Sequence, residues 1–130
     1  MKKIVSIAII FLCLFLMSCS EEDGIASDNI KLSTSKLQLD SKSGSHTIIT
    51  QSDFWWVISV KEDGKWVDYG KQKEREFDFE GSWYSIKREK RNLIISVDEN
   101  TTPKNRQLYI GLQAGNWFGS SITVDQQAGE

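Results

Sequence analysis

Residues 52–60 read SDFWWVISV, and this stretch decides the fold class. Its β-branched and aromatic composition is typical of a strand, in which successive side chains point to opposite faces. Trp55 and Trp56 therefore cannot both point into the same core. The face that carries Trp56, Ile58 and Val60 is wholly apolar, which predicts that this face packs inside. Trp55 lies on the other, mixed face, where it either packs under a second apolar layer or faces outward toward a partner.

The same period-two alternation continues from residue 30 to the C-terminal end, and no segment carries a sustained helical stripe. Asp63-Gly64 and residues 87–92 predict hairpin turns. A charged insert, residues 61–81, is long enough to fold back over Trp55. Seven to eight short strands in about 100 residues predict an all-β fold, two antiparallel sheets packed face to face around one core. The apolar strand positions are Leu37, Leu39, Ile48, Phe77, Phe79, Leu93, Ile95, Val97, Leu108, Ile110, Leu112, Ile122 and Val124.

The N-terminal residues 1–18 have the features of a secretory signal. Lys2 and Lys3 precede an apolar run over residues 4–17, which is shorter than the roughly 20 residues that a membrane-spanning helix needs. The run ends in Leu-Met-Ser before Cys19, a sequence that resembles the lipobox of bacterial lipoproteins. The resemblance implies that Cys19 is acylated and anchors the mature chain to a membrane through its acyl chains. An ordinary signal followed by an ordinary thiol is the alternative.

Residues 19–29 predict a flexible, acidic linker between the anchor and the folded domain. Their Glu21-Glu22-Asp23 cluster resembles the surface-export signal of Bacteroidetes lipoproteins, which implies an outer-membrane lipoprotein exposed at the cell surface. Once Lys2 and Lys3 are removed, 14 basic side chains remain against 18 acidic ones, a net charge of about −4. Nucleic acid is not an expected partner, because phosphate binding needs a concentrated positive surface.

Residues 30–130 carry a set of positions with a recognisable spacing. The most specific are residues 100–106, from Asn100 to Arg106, and Val124-x-Gln126 near the end. The others are Leu37-x-Leu39, Ser43-Gly44 before a strand, a Trp closing the following segment, and Trp83. This spacing resembles the BACON domain, an immunoglobulin-like sandwich of secreted and surface proteins of the Bacteroidetes. The resemblance implies carbohydrate binding and frequent attachment to glycan-degrading enzymes. The insert at residues 61–81 replaces a short Gly/Ser-rich passage of that family, so the loops fall outside the resemblance.

The matched polar positions also have structural explanations. Asn100 is suited to bond the backbone of its own turn, and Arg106 to fork onto carbonyl or carboxylate oxygens across the sheets. Gln126 is placed to close the last strand against the first. We expect these three residues to be structural, because a small sandwich must satisfy its buried polar groups. Trp56 and Trp83 are predicted to lie in the core.

The composition argues against catalysis, metals and cofactors. His46 is the single histidine and the mature chain keeps Cys19 as its single cysteine, so no His/Cys metal set can be assembled, and a nucleophile–base pair would have to be built from Lys or carboxylates. A carboxylate pair for glycoside hydrolysis stays an alternative, because such pairs meet in space and not in sequence. No Asp-x-Asp-x-Asp loop with a central glycine appears, which excludes an EF-hand-type calcium site. We therefore expect a protein that is not an enzyme and that uses no cofactor.

Aromatic residues in the predicted loops are the candidate ligand-binding groups. Trp66 and Tyr69 lie in GKWVDYG, Trp117 lies in a second predicted hairpin tip, and Trp55 is the outward residue of the opening stretch. Exposed aromatic rings can stack on the C–H face of a pyranose. The expected function is binding of an extracellular polysaccharide or glycoprotein glycan. The alternative is a structural spacer or an accessory subunit of a surface protein complex, with these rings packed at edges or in protein contacts.

The run KREKR over residues 87–91 is locally basic on an acidic chain. It predicts a solvated hairpin tip, with an anionic glycan or a lipid headgroup as the functional alternative.

Overall fold

The computed structural model describes residues 30–73, 76–115 and 118–129, and for Phe118 the backbone only. The predicted signal, Cys19, the acidic linker and Trp117 lie outside these residues. No helix within the described ranges is long and apolar enough to cross a bilayer. The described chain is all-β, without a helix. Its strands are β1 (Lys36–Leu39), β2 (Gly44–Ile49), β3 (Trp56–Glu62), β4 (Lys65–Trp66), β5 (Asp78–Glu80), β6 (Tyr84–Glu89), β7 (Asn92–Val97), β8 (Arg106–Ala114) and β9 (Phe118–Gln126).

The strands form two sheets, which confirms the predicted β-sandwich. One sheet has the order β1-β9-β8-β3-β4 and the other the order β2-β7-β6-β5. All pairings are antiparallel except that of β1 with β9, which run parallel. The described part contains more strands than expected because the insert at residues 61–81 contributes two short ones, β4 and β5.

The core lies between the two sheets and consists of the alternate apolar residues of both. Each of the longer strands buries one face, so the side chains interdigitate from the two sides. Ile48, Ile86, Leu93 and Ile95 come from the four-stranded sheet and are fully buried. Val60, Leu108, Ile110, Leu112, Ile122 and Val124 fill the opposite layer. Burial of one such side chain stabilises the fold by about 1.5–3 kcal/mol.

The prediction that Trp56 and Ile58 face the core is wrong. Trp55 is fully buried and Val57 nearly so, whereas Trp56 is half-buried and Ile58 is 45% exposed. The physical reason is a bulge in β3, where Val57 pairs with Leu112 and Ser59 pairs with Gly111. Ile58 is the additional residue of the bulge, so it breaks the alternation. Val57 and Val60 can then both point inward although they are three residues apart.

The insert at residues 61–81 contributes Phe77 to the core cluster that contains Trp55, and Val67 and Tyr69 pack against that cluster. Asp63 and Gly64 form the tight turn between β3 and β4, with positive φ angles of 50° and 80°. After β4 the chain crosses to the other sheet, and Tyr69 packs edge-on against Phe77, with ring centroids 5.1 Å apart. The group placed on the Trp55 ring is the Arg88 guanidinium, 3.7 Å from the ring centroid.

A polar network closes one end of the sandwich. Gln126 is 1% exposed, and its Nε2 donates to the carbonyl of Asp98 at 3.0 Å. Its Oε1 accepts from Nε of Arg106 at 2.8 Å, and the Arg106 guanidinium lies 4.4 Å above the ring of the buried Trp83. Because β1 pairs with β9 at Leu39 and Gln126, this network sits where the first strand meets the last.

Asn100 organises the neighbouring loop. Its Nδ2 donates to the carbonyl oxygens of Lys104 at 2.8 Å and Gln127 at 3.0 Å, and its Oδ1 accepts from the backbone N–H of Thr102 at 3.1 Å. The side chain therefore joins the turn before β8 to the residue that follows β9.

Candidate functional site

Trp55 cannot bind a ligand in this structure, which corrects the prediction made for it. Its side chain is 0% exposed, and its indole N–H donates to Thr50 Oγ1 at 2.9 Å and to the Ser52 carbonyl at 2.8 Å. The Arg88 guanidinium covers the ring and donates to the carbonyl oxygens of Asp53 and Trp55 itself. The polar atom of the indole, Nε1, therefore has its hydrogen-bond acceptors within the fold.

Tyr69 and Trp66 are close in sequence but point to different surfaces. Tyr69 is half-buried against Phe77 and Phe79, where burial raises the pKa of its phenol. It lines a cleft of about 410 Å³ together with Trp56. Trp66 is 72% exposed on the edge strand β4. The predicted site of Trp55, Trp66, Tyr69 and Trp117 is therefore not a single site among the described residues, and Trp117 lies outside them.

Trp66 belongs to a row of side chains on the face of the five-stranded sheet that points away from the core. It pairs in register with Lys61, and Lys61 pairs with Tyr109. The row continues to Thr123 and Lys36. We call these five residues the aromatic row. Residues directly opposite in a sheet share one face, and the inward neighbour Ile110 shows that this face is the outer one.

The two rings of the aromatic row are joined by a cation. The Nζ of Lys61 lies 4.3 Å from the ring centroid of Trp66 and 5.5 Å from that of Tyr109. Both distances are within the range of cation–π attraction. Because β4, β3 and β8 are successive strands, the two aromatic residues are two strand spacings apart, about 9.5 Å. That separation is close to the length of a disaccharide.

A second row runs beside the aromatic row, one pleat further along the strands. Asp63, Gln107, Asp125 and Gln38 make up this polar row. Gln107 connects its members, because its Nε2 donates to Asp125 Oδ1 at 2.8 Å and its backbone N–H donates to Asp63 Oδ1 at 2.8 Å. The four residues line a cleft of about 390 Å³, within the usual size of small-ligand sites.

On its other side the aromatic row is bordered by small residues. Ser59, Gly111 and Ser121 lie opposite one another on β3, β8 and β9. A side chain at Gly111 would overlap the Ser59 hydroxyl and contact the Tyr109 ring, so the glycine lets that ring lie low against the sheet. The outer face therefore offers a shallow floor of small residues beside two aromatic rings and a cleft of amide and carboxylate groups.

The chemistry of these groups suits the binding of a ligand that carries both C–H faces and hydroxyl groups. Aromatic rings offer apolar faces, and amides and carboxylates exchange hydrogen bonds with hydroxyl groups. Within the described ranges, no group of three or more His, Cys, Asp or Glu could hold a metal ion. Sequence reasoning missed Tyr109, although the buried Leu108 and Ile110 on either side of it indicated that it points outward.

Comparison with known proteins supports the fold. No protein-family profile matches the chain, and no curated protein does. The chain is similar to a solved structure described as the NMR structure of a protein from Bacteroides thetaiotaomicron, with 26% sequence identity and a TM-score of 0.68. The match covers 80% of this chain and 91% of that one. A β-sandwich of this kind therefore occurs in a Bacteroides protein of similar length.

A second similarity is more distant. A Bacteroides ovatus GH5 xyloglucanase, solved in complex with a XXXG heptasaccharide, matches 72% of this chain with 18% identity and a TM-score of 0.48. The match spans 17% of the xyloglucanase chain.

Proposed function

We propose that this chain is a non-catalytic, glycan-binding lipoprotein. The observation that carries the proposal is the exposed Trp66 ring, aligned with Tyr109 across three neighbouring strands beside the polar cleft. One pyranose stacks its C–H face on one ring, and a glycan that spans both rings brings hydroxyl groups toward Gln107 and Asp125. Of the sequence-predicted ligand set, Trp66 is the member that lies in this row among the described residues, and Trp117 lies outside them.

We further propose that the sandwich is a BACON-type domain anchored at the outer membrane and exposed at the cell surface. The two-sheet fold and the similarity to a Bacteroides protein support the domain type. The buried network of Arg106 and Gln126 accounts physically for two of the positions that carry the resemblance. The lipobox ending in Cys19 and the acidic residues behind it support the anchor and the location.

A protein-contact or spacer module is the second candidate function, and a specific observation favours it. Ile49, Phe54 and Ile58 are 55%, 58% and 45% exposed, so apolar surface is also available away from the aromatic row. Such side chains, when they cluster, mark contact sites between proteins.

The proposal is tested with a soluble chain that begins at Ser20. The apolar core described above lies within residues 30–129, so this chain keeps it. Affinity electrophoresis and calorimetry against a panel of neutral and acidic polysaccharides should find at least one ligand. Trp66→Ala and Tyr109→Ala should each weaken its binding about three- to tenfold, because each removes one stacking ring.

Matched variants separate stacking from general damage. Tyr109→Phe keeps the ring and should bind normally. Phe54→Ala removes a similarly exposed aromatic side chain outside the aromatic row and should also bind normally. Binding that is equally reduced by Phe54→Ala, or no binding to any polysaccharide, would favour the protein-contact module instead.

A further inference from the structure

We infer that the ligand of the aromatic row is an acidic glycan, a polymer that contains hexuronic acid, and that Lys61 binds its carboxylate. The inference rests on the proposed glycan-binding function and adds the chemical class of the sugar. It comes from the position of one ammonium group between two aromatic rings.

Lys61 lies at the centre of the aromatic row. Its Nζ is 4.3 Å from the centroid of Trp66 and 5.5 Å from that of Tyr109, so a sugar stacked on either ring lies beside the ammonium. Among the described residues no carboxylate forms an ion pair with Lys61, whereas Lys87 and Glu89 do pair, at 3.5 Å. The Lys61 ammonium group is therefore positioned by the two rings and can bind an anion.

A hexuronic acid matches this combination of groups. Its ring presents a C–H face for stacking, and its carboxylate projects from the rim of the same ring. A sugar seated on Trp66 or Tyr109 can therefore stack and form a charge-assisted hydrogen bond to Lys61 together. A neutral hexose would fill the same position with a hydroxymethyl group, which gives a weaker hydrogen bond to the ammonium.

The row carries a second cation in line with the first. Lys36 is exposed on β1. It is in register with Lys61, because Lys61 pairs with Tyr109, Tyr109 with Thr123, and Thr123 with Lys36. The two lysines are three strand spacings apart, about 14 Å. A single acidic sugar cannot contact both, whereas a polymer with carboxylates along its length can.

The polar row sets a limit on this preference. Asp63 and Asp125 lie two residues further along their strands than Lys61 and Thr123, a backbone separation of about 7 Å. Each accepts a hydrogen bond from Gln107, which fixes its position. Both weaken the attraction of an anionic polymer, so neutralising Asp125 should strengthen binding of the acidic ligand relative to that of a neutral one.

The test compares polygalacturonate, alginate and hyaluronan with their methyl-esterified forms, using the chain that begins at Ser20. Esterification removes the charge and keeps the sugar rings. We expect at least one acidic polymer to bind, its ester to bind about tenfold more weakly, and its affinity to fall with added salt. Lys61→Gln should reduce binding of the acid to about the level of the ester and should weaken binding of the ester much less, because the ester forms only a neutral hydrogen bond at this position.

Three variants control for structure. Lys61→Arg keeps the charge and the cation–π contacts and should retain most of the affinity. Lys65 precedes Trp66 in β4 and lies on the opposite face of that strand. Lys65→Gln removes an exposed charge there and should leave the affinity for the acidic polymer unchanged. Asp125→Asn should raise affinity for the acidic polymer about two- to fivefold, because it removes one screened repulsion.

The outcomes distinguish this inference from the function on which it rests. Equal affinity for acid and ester, or an affinity for the acid that Lys61→Gln does not change, would overturn the inference while glycan binding stands. Binding of neutral polysaccharides alone would do the same. Failure of every acidic and neutral polymer to bind would remove both the inference and the proposed function.

Discussion

Arg106 and Gln126 donate hydrogen bonds to the same backbone carbonyl oxygen, that of Asp98. Arg106 Nη2 and Gln126 Nε2 both donate to the backbone oxygen of Asp98 at 3.0 Å, while Arg106 Nε donates to Gln126 Oε1 at 2.8 Å. Burial lowers the pKa of the Arg106 guanidinium, and the carboxylate of Asp98 acts in the opposite direction. Two side chains from neighbouring strands thus satisfy one loop carbonyl and each other.

Replacement of Gln126 by Leu should therefore destabilise the domain. The variant leaves the Asp98 carbonyl with one donor fewer and deprives Arg106 Nε of its acceptor in a buried place. We expect a loss of about 2–3 kcal/mol in the free energy of unfolding, measured by urea denaturation. Gln38→Leu, at an exposed position of β1, should change it by less than about 0.5 kcal/mol. Similar losses in both variants would contradict the role assigned to the network.

The two adjacent tryptophans should differ strongly in their effect on stability. Trp55→Ala removes a fully buried ring and the stacking partner of Arg88, and it should cost about 3–5 kcal/mol. Trp56→Ala removes a half-buried ring from the outer face and should cost about 1–2 kcal/mol. Chemical denaturation of both variants measures the difference. A larger loss in Trp56→Ala would show that the strand alternates without the bulge.

Tyr84 should make the domain sensitive to alkaline pH. It is 4% exposed, and burial, followed by the nearby Glu62 carboxylate, raises its pKa from 10.0 to about 12. Between these values the unfolded chain loses the phenol proton while the folded chain keeps it, so stability is complete below pH 10 and falls up to pH 12. The expected loss is about 2–3 kcal/mol.

Tyr84→Phe supplies the comparison for the alkaline transition. The variant keeps the ring that packs over Gly81 and has no proton to lose. Unfolding free energies measured across this pH range should decline less steeply in Tyr84→Phe than in the parent chain. Parallel curves for the two proteins would show that Tyr84 does not titrate in this window.

The anchor proposed at position 19 predicts a covalent modification. In cells supplied with a labelled fatty acid, the protein should acquire the label and fractionate with the outer membrane. Cys19→Ala should abolish labelling and release the domain from the membrane, because the acyl chains supply the anchoring free energy. Labelled protein in the Cys19→Ala variant would place the lipid elsewhere, and an unlabelled parent protein would rule out the lipoprotein proposal.

Alternation along single strands was enough to predict the layers of the sandwich. Leu93, Ile95 and Val97 pack inward as expected, since a strand with one apolar face buries it wherever a second sheet covers it. The same rule failed in β3, because the bulge at Ile58 depends on how β3 pairs with β8 and not on the residues of β3 alone. The parallel pairing of β1 with β9 also joins ends of the chain that no local pattern connects.

The sequence by itself determined that the domain is all-β, that its apolar residues fill one core, and that Asp63-Gly64 turns the chain, because these features depend on neighbours within a few residues. Tertiary structure alone decided which tryptophan is buried and which residues share a surface. Trp66, Lys61 and Tyr109 come together only through strand register, which is fixed by the hydrogen bonds between strands and the packing of the core beneath them. A binding surface that is assembled from several strands therefore cannot be predicted from patterns along the sequence.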